Sequence, residues 1–194
     1  MELSEALAAG LPVLLPTDTV YGLAAGAERE EYTTRLYAVK GREPAQPTAL
    51  LAGSIEALLA AVPELNETLL QTLLPGPFTL VLPNPARRYP WLTGDNPGAI
   101  GVRVPTLPKE ARQALGDRCV AATSANDPGS PDPTSIDDVP ARIRAAVAAE
   151  LDVGPLPGTP STVIDFTGQE PRVLREGAAP SDEAIARVRA ALPT

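Results

Sequence analysis

Pro16-Thr17-Asp18-Thr19-Val20-Tyr21-Gly22-Leu23 follows the apolar run Leu11-Pro12-Val13-Leu14-Leu15, so two hydroxyls and a carboxylate stand where a buried strand runs out. Backbone donors are free at such an end, and small polar side chains beside them make a receptor for an anion. The same arrangement recurs twice. Lys40-Gly41-Arg42 closes a helical stretch, and Thr123-Ser124-Ala125-Asn126 closes the run Cys119-Val120-Ala121-Ala122. Each piece sets hydroxyls, an amide or a cation at the end of an element, and together they describe a pocket for phosphate and carboxylate groups.

Working outward from that stretch, a short helix is expected over Glu5–Ala9 and a buried strand over Leu11–Pro16, bounded by prolines. A helix follows over Glu30–Val39, with Tyr32, Leu36 and Val39 on one face and Lys40 at its C-terminal end, where a cation also complements the helix dipole. Next come a strand at Thr48–Leu51, helices at Ser54–Val62 and Glu64–Leu74, and a strand at Phe78–Leu82 after Pro75-Gly76-Pro77. A proline-rich loop to Pro97 leads to a strand at Ala99–Val104, a helix at Pro108–Leu115 and the strand of Cys119. The remainder reads as a helix over Ile136–Ala149, strands at Ser161–Phe166 and Arg172–Arg175, and a closing helix from Ser181 to Leu192. Interleaved helices and strands indicate an α/β sheet, and 194 residues with 44% hydrophobic content suit one domain, 1–194, or one domain with a small lobe. The 23 prolines fall mostly in connections, where they make rigid loops and restrict the unfolded chain.

Composition excludes much chemistry. The chain has no histidine and one cysteine, which rules out Ser-His triads, Cys-His pairs and His-ligated zinc. Catalysis must then rest on positioning and on Lys and Arg electrostatics. Cys119 opens an apolar run and reads as a buried strand residue rather than a reactive thiol. A net charge of -8 opposes tight binding of nucleic acid, which needs a basic stripe. The aromatics are too scattered for a base-stacking platform. No apolar stretch has the length of a membrane span and the first residues lack a cationic leader, so a cytoplasmic location with no membrane contact is expected.

Among the cations, Lys40, Arg42, Arg103 and Arg175 sit at the ends of expected elements, whereas Arg142, Arg144, Arg187 and Arg189 ride on exposed helix faces. Only the first group looks like a site. Arg103 lies on a strand whose neighbours Val102 and Val104 point the other way, which aims it into a cavity or into a surface ion pair. Thr123-Ser124-Ala125-Asn126 also suits an Asx turn leading to Pro128-Gly129, and Thr19 suits a strand-end cap.

In order along the chain stand PTDTVYGL, KxR with a proline soon after, LPGPFTLVL, GVRVP, TSAN with a small-residue loop, PSTVID and RxG. This succession resembles the YrdC/Sua5/TsaC family of L-threonylcarbamoyladenylate synthases over roughly residues 4–178, in the short YrdC-only form. The resemblance implies a YrdC-like domain, a twisted mixed sheet flanked by helices with a large concave cavity. It also implies a nucleotidyltransferase that makes threonylcarbamoyl-AMP and pyrophosphate from L-threonine, bicarbonate or CO2, and ATP. Magnesium would arrive on the nucleotide, with no protein-bound metal. The product would pass to a downstream transferase complex that modifies adenosine 37 of tRNA, with at most weak direct tRNA binding. An RNA-binding module without synthase activity is the alternative.

Carried onto this sequence, the resemblance implies that Lys40 and Arg42 serve catalysis, facing the bicarbonate-derived group and the phosphates. Thr19, Arg103, Ala122 and Ser161 would bind threonine. Arg42, Gln46, Ser124, Asn126 and Arg175 would bind ATP. Several positions depart from the family pattern, among them the loop Asn126-Asp127-Pro128-Gly129 where SAN.SG is usual. Gln46 replaces a common asparagine, Leu51 stands where many members carry histidine, and Asp132 replaces a serine. Leu51 is expected to loosen side-chain selectivity. Asp132 would repel a triphosphate unless it meets magnesium or turns away.

Overall fold

Short apolar runs whose alternate residues can be buried on opposite faces are natural central strands. In the computed structural model, which describes residues 1–192, these runs form one mixed sheet. Its strands are β1 (Val13–Pro16), β2 (Tyr21–Gly26), β3 (Ala49–Ala52), β4 (Phe78–Pro83), β5 (Ala99–Arg103), β6 (Cys119–Ser124), β7 (Ala149–Glu150), β8 (Thr162–Asp165) and β9 (Arg172–Arg175). Their order is β7-β1-β2-β6-β3-β5-β4-β8-β9. β1/β7, β3/β5 and β4/β8 pair in parallel and the other neighbours are antiparallel. The helices are α1 (Leu3–Ala8), α2 (Glu30–Lys40), α3 (Ile55–Ala61), α4 (Glu67–Leu73), α5 (Lys109–Leu115), α6 (Ala141–Ala146) and α7 (Ser181–Ala191).

The sheet's two faces are covered unequally. Tyr21, Leu23, Leu50, Leu80, Val102 and Ala121 point to one side and join a cluster with Leu36 of α2, Leu58 of α3, Leu70 of α4, Ile143 of α6 and Val188 of α7. Their alternate neighbours point to the other side. There Ala24, Leu51 and Val120 meet Leu7 of α1 and Leu115 of α5 in a smaller cluster. Two short helices cannot cover a nine-stranded sheet, so part of the second face stays open.

Local signals explain the element ends. Ser54 and Asn66 each accept a main-chain N–H from the first turn of the following helix, at 3.1 and 3.0 Å, which satisfies a donor the helix cannot use. Helix α2 ends where Gly41 takes a left-handed conformation (φ 71°), and its N–H closes on Tyr37 O.

Three expectations are corrected. Residues 21–26 form β2, a strand that the element reading passed over, because Gly22, Ala24, Ala25 and Gly26 carry little strand preference and pairing on both sides supplies it instead. The helix expected over Ile136–Ala149 breaks at Pro140 into a 3-10 turn (Ile136–Asp138) and α6, and β7 follows. On α2 the buried face is Thr33, Leu36, Tyr37 and Lys40, with Tyr32 and Val39 only at its flanks.

Candidate active site

The uncovered part of the second face is a cavity of about 240 Å³. Strand parity builds its floor: Val20, Gly22, Ala49, Leu51, Ala122 and Val163 all project to this side, and the small Gly22, Ala49 and Ala122 leave a hollow. The same parity brings polar side chains from five strand ends to its walls. Thr79 is the one hydroxyl in the apolar run of β4, Ser161 stands just before β8, and Ser124 ends β6. Arg42, Arg103 and Arg175 supply three positive charges and Asp132 one negative. A second compartment of about 400 Å³ adjoins it, sharing Arg42, Pro47, Thr123 and Ser124 and lined further by Lys40, Gln46, Asn126, Pro128 and Gly129.

Arg103 is held at the first end of the cavity. Its Nη2 donates to Asp18 Oδ1 at 2.6 Å and to Thr19 Oγ1 at 2.8 Å, and Asp18 Oδ2 accepts the Thr106 N–H at 3.0 Å. Burial lowers the Arg103 pKa and the Asp18 charge opposes the shift; a guanidinium remains charged throughout the physiological range. Its Nε is buried without a partner among the described residues. Thr19 itself is fully buried and stands outside the cavity lining. The Thr17 hydroxyl spends its single proton on Val20 O at 2.8 Å, so in the 3.0 Å contact between the two threonines Thr19 donates and Thr17 accepts. Thr19 therefore props Arg103 from behind, and Thr17 faces the cavity.

Arg175, on the outermost strand, folds back over β8. Its Nε and Nη2 donate to Ser161 O at 3.0 and 2.8 Å, and Nη2 also reaches Ser161 Oγ at 3.2 Å. The Ser161 hydroxyl lies 2.8 Å from Thr79 Oγ1. Arg42 is looser. Nη2 donates to Pro47 O at 2.5 Å, but its contacts with Gln46 O and Thr123 Oγ1 are long, 3.4 Å each.

Lys40 behaves differently from all three. It is only 4% exposed, and Nζ donates to Ser124 O (2.7 Å), Asn126 O (2.6 Å) and Asn126 Oδ1 (2.5 Å). An ammonium has three hydrogens, so each is spent on the protein. Asn126 Oδ1 also accepts from Ser124 Oγ, and Asn126 Nδ2 donates to Ser130 O. Lys40 thus fastens the loop after β6 to the end of α2. Burial, and then the charge of Arg42, lower its pKa to about 8. Arg142 reinforces the joint, donating to Val39 O, Lys40 O and Asp127.

The site residues named from the sequence thus fall into groups. Arg42, Arg103, Ala122, Ser124, Ser161 and Arg175 meet at the main cavity, and Lys40, Gln46 and Asn126 line the adjoining one. Gln46 is exposed, and its main-chain carbonyl is what Arg42 and the Tyr37 hydroxyl use. Sequence reasoning gave no role to Thr17, Asp18 or Thr79. A lone hydroxyl in the apolar run Phe78–Leu82 was the available signal for Thr79, whereas the Asp18–Arg103 pair joins residues 85 apart. Cys119 is buried, its thiol pushed up to about 12 by burial and the charge of Glu28, so it stays protonated and inert near neutrality. No helix among the described residues is long and apolar enough to cross a membrane.

A hollow with three convergent guanidinium groups, six hydroxyl-bearing residues and an apolar floor can hold two anionic groups side by side while limiting water. The family model described as "Telomere recombination", for Sua5, YciO and YrdC proteins, matches residues 5–177. A Mycobacterium tuberculosis protein named, provisionally, threonylcarbamoyl-AMP synthase is 36% identical over 187 residues, 94% of this chain and 85% of its own length. The threonylcarbamoyl-AMP synthase of Pyrococcus abyssi is 36% identical over 179 residues, covering 90% of this chain and 52% of that protein. The crystal structure of P. abyssi Sua5 complexed with L-threonine superposes with a TM-score of 0.85 at 33% identity, over 98% of this chain and 56% of that one. Escherichia coli YciO gives 0.77 at 26% identity, over 91% and 88%. The chain thus spans about half of the archaeal protein and most of YciO. Sequence and fold agree over almost the whole length described, and this chain belongs to the Sua5/YciO/YrdC family.

Proposed function

We propose that this chain is an L-threonylcarbamoyladenylate synthase, a nucleotidyltransferase acting in the cytoplasm. The observation that carries the reading is the convergence of Arg42, Arg103 and Arg175 with Ser124 and Ser161 on one hollow. The names of its relatives support it, and so does the threonine bound to P. abyssi Sua5.

The reaction brings like charges together. The threonine amine, once free of its ammonium proton, forms a C–N bond with CO2 and releases a further proton to water, or with the carbon of bicarbonate, whose hydroxyl leaves with that proton as water; either route gives a carbamate. A carbamate oxygen then attacks the α-phosphorus of ATP, the bond to the β-phosphate oxygen breaks, and pyrophosphate leaves. Both partners are anions, so fixed cations and a dry site do most of the work, and a reaction of this kind needs no histidine. In this reading Arg103, held by Asp18 and Thr19, receives the threonine carboxylate beside Ser161 and the Ala122 floor. Arg42 is anchored by its short Nη2 bond to Pro47 O, while Nε and Nη1 make only 3.4 Å contacts and are the donors that would turn to a carbamate and an α-phosphate. Ser124, Asn126 and Gln46 line the nucleotide compartment, with Arg175 toward the phosphates. Lys40 serves by holding the 124–130 loop in shape. Magnesium enters as part of the nucleotide substrate. The product would pass to a transferase complex acting on tRNA, and the net charge of -8 favours weak direct contact with that tRNA.

Purified protein given ATP, labelled bicarbonate and L-threonine should form labelled threonylcarbamoyl-AMP and pyrophosphate in equal amounts. ATP hydrolysis without labelled adenylate, or steeply salt-dependent tRNA binding without ATP turnover, would reject the reading in favour of another activity.

A further inference from the structure

The cavity holds one charge of the wrong sign. Asp132 is the only carboxylate among the described residues that lines either compartment. The neighbouring acids are occupied: Asp18 binds Arg103 and Thr106, and Asp127 binds Arg142. Asp132 makes no hydrogen bond or ion pair among the described residues, although Arg42 lines the same hollow and turns to Pro47 O and Thr123 Oγ1 instead. Half-buried and unpaired, it faces the space where the triphosphate is proposed to lie.

Its backbone is not free to swing away. Pro131 and Pro133 flank it, which restricts the torsions on both sides. Pro133 O accepts the Tyr21 N–H at 3.1 Å, tying the segment to the start of β2. The carboxylate also follows directly on the 126–130 loop that lines the nucleotide compartment, and its charge acts on the Lys40 ammonium beneath that loop. An unpaired carboxylate held beside a polyphosphate is repulsive by itself and attractive once a hard divalent cation lies between them. Magnesium is commonly bound in this way, by one or two carboxylates together with phosphate oxygens and water.

We propose that Asp132 receives the magnesium ion carried by the triphosphate, so that this chain recognises magnesium-ATP and discriminates against the metal-free nucleotide. The proposal rests on the synthase reading for its nucleotide, and its test is arranged so that the two fail separately. ATP binding is measured by titration calorimetry without threonine or bicarbonate, once with excess magnesium and once with chelator, for the wild type, Asp132→Asn and Asp132→Ser. Thermal unfolding checks that each variant is folded, and either variant suffices. The ratio of affinities with and without magnesium should fall on the order of tenfold from wild type to variant, with metal-free ATP binding the variant more tightly than the wild type. A residue that merely supports the loop would weaken both forms alike.

An unchanged ratio in a folded variant overturns the proposal and leaves the synthase reading intact. So does an unchanged ratio accompanied by weaker binding of threonine in a separate threonine titration, which would make Asp132 the acceptor of the substrate ammonium. Failure of the wild type to bind ATP in either condition removes the nucleotide reading and this proposal with it.

Discussion

The two faces of the sheet are made by alternate residues of the same strands, yet they do opposite things. On β5, Ile100 and Val102 lie under the larger helical layer with 1% and 0% exposure, while Arg103 between them and the edge turns into the hollow. On β6, Ala121 is core, and Ala122 and Ser124 are cavity floor and wall. Five helices close the first face with apolar side chains; on the second, α1 and α5 stop short and leave polar groups bonded to one another. The first face holds its free energy in buried area. The second holds it in hydrogen bonds arranged before any ligand arrives, which is what a site that stabilises developing charge requires.

That division can be broken, and the sharpest blow falls on the closed face. Leu80→Ala should cost about 2 to 5 kcal/mol of stability in chemical denaturation, through lost burial and the cavity left behind. A loss well under that range would mean the closed face is not the fold's main support. Arg42→Ala should do the reverse. It should lower kcat/KM for adenylate formation by an amount equivalent to about 2 to 4 kcal/mol, as removal of a charge-stabilising donor does, with a nearly unchanged melting temperature.

Lys40 lies where the two faces meet and should respond in both ways. Its folded pKa of about 8 is below the usual 10.5, so the folded protein binds fewer protons than the unfolded chain between those values. Its contribution to stability therefore rises with pH across that window and is lost as pH falls through about 8. Activity should run the other way, falling above about pH 8 as the ammonium that fastens Ser124 and Asn126 loses its proton. The kcat/KM profile and melting curves of wild type and Lys40→Met, compared between neutral and alkaline pH, test both signs. The smallest effect concerns the apolar floor. With Leu51 there, preference for threonine over valine, compared by kcat/KM, should fall well short of the factor of about 10,000 that a site built to hydrogen-bond a substrate hydroxyl gives.

Much of the fold was legible because its cues are local. Proline punctuation and Ser54 as a helix start mark where elements begin and end whatever surrounds them, whereas the helix read from Glu64 begins only after its cap, Asn66. β2 was hidden because Gly22-Leu23-Ala24-Ala25-Gly26 is a strand only between β1 and β6. The 136–149 segment read as one helix because its composition outweighed Pro140. In the site, the cations and hydroxyls were visible as residue types at element ends. Which of them touch the hollow was not: Thr19 turns inward to Arg103 while Thr17 faces the cavity, and Lys40 gives all three donors to its own chain.

By itself, then, the amino-acid order determined the α/β alternation, the absence of histidine chemistry and the set of cations and hydroxyls available for binding anions. Each of these depends on residue identity or on neighbours a few positions away. Only the tertiary structure decided which face stays open, that Asp18 is bound to Arg103 and that Asp132 is left unpaired. Those outcomes follow from strand register and helix coverage, which bring residues 85 apart to 2.6 Å and lie beyond the reach of any local pattern.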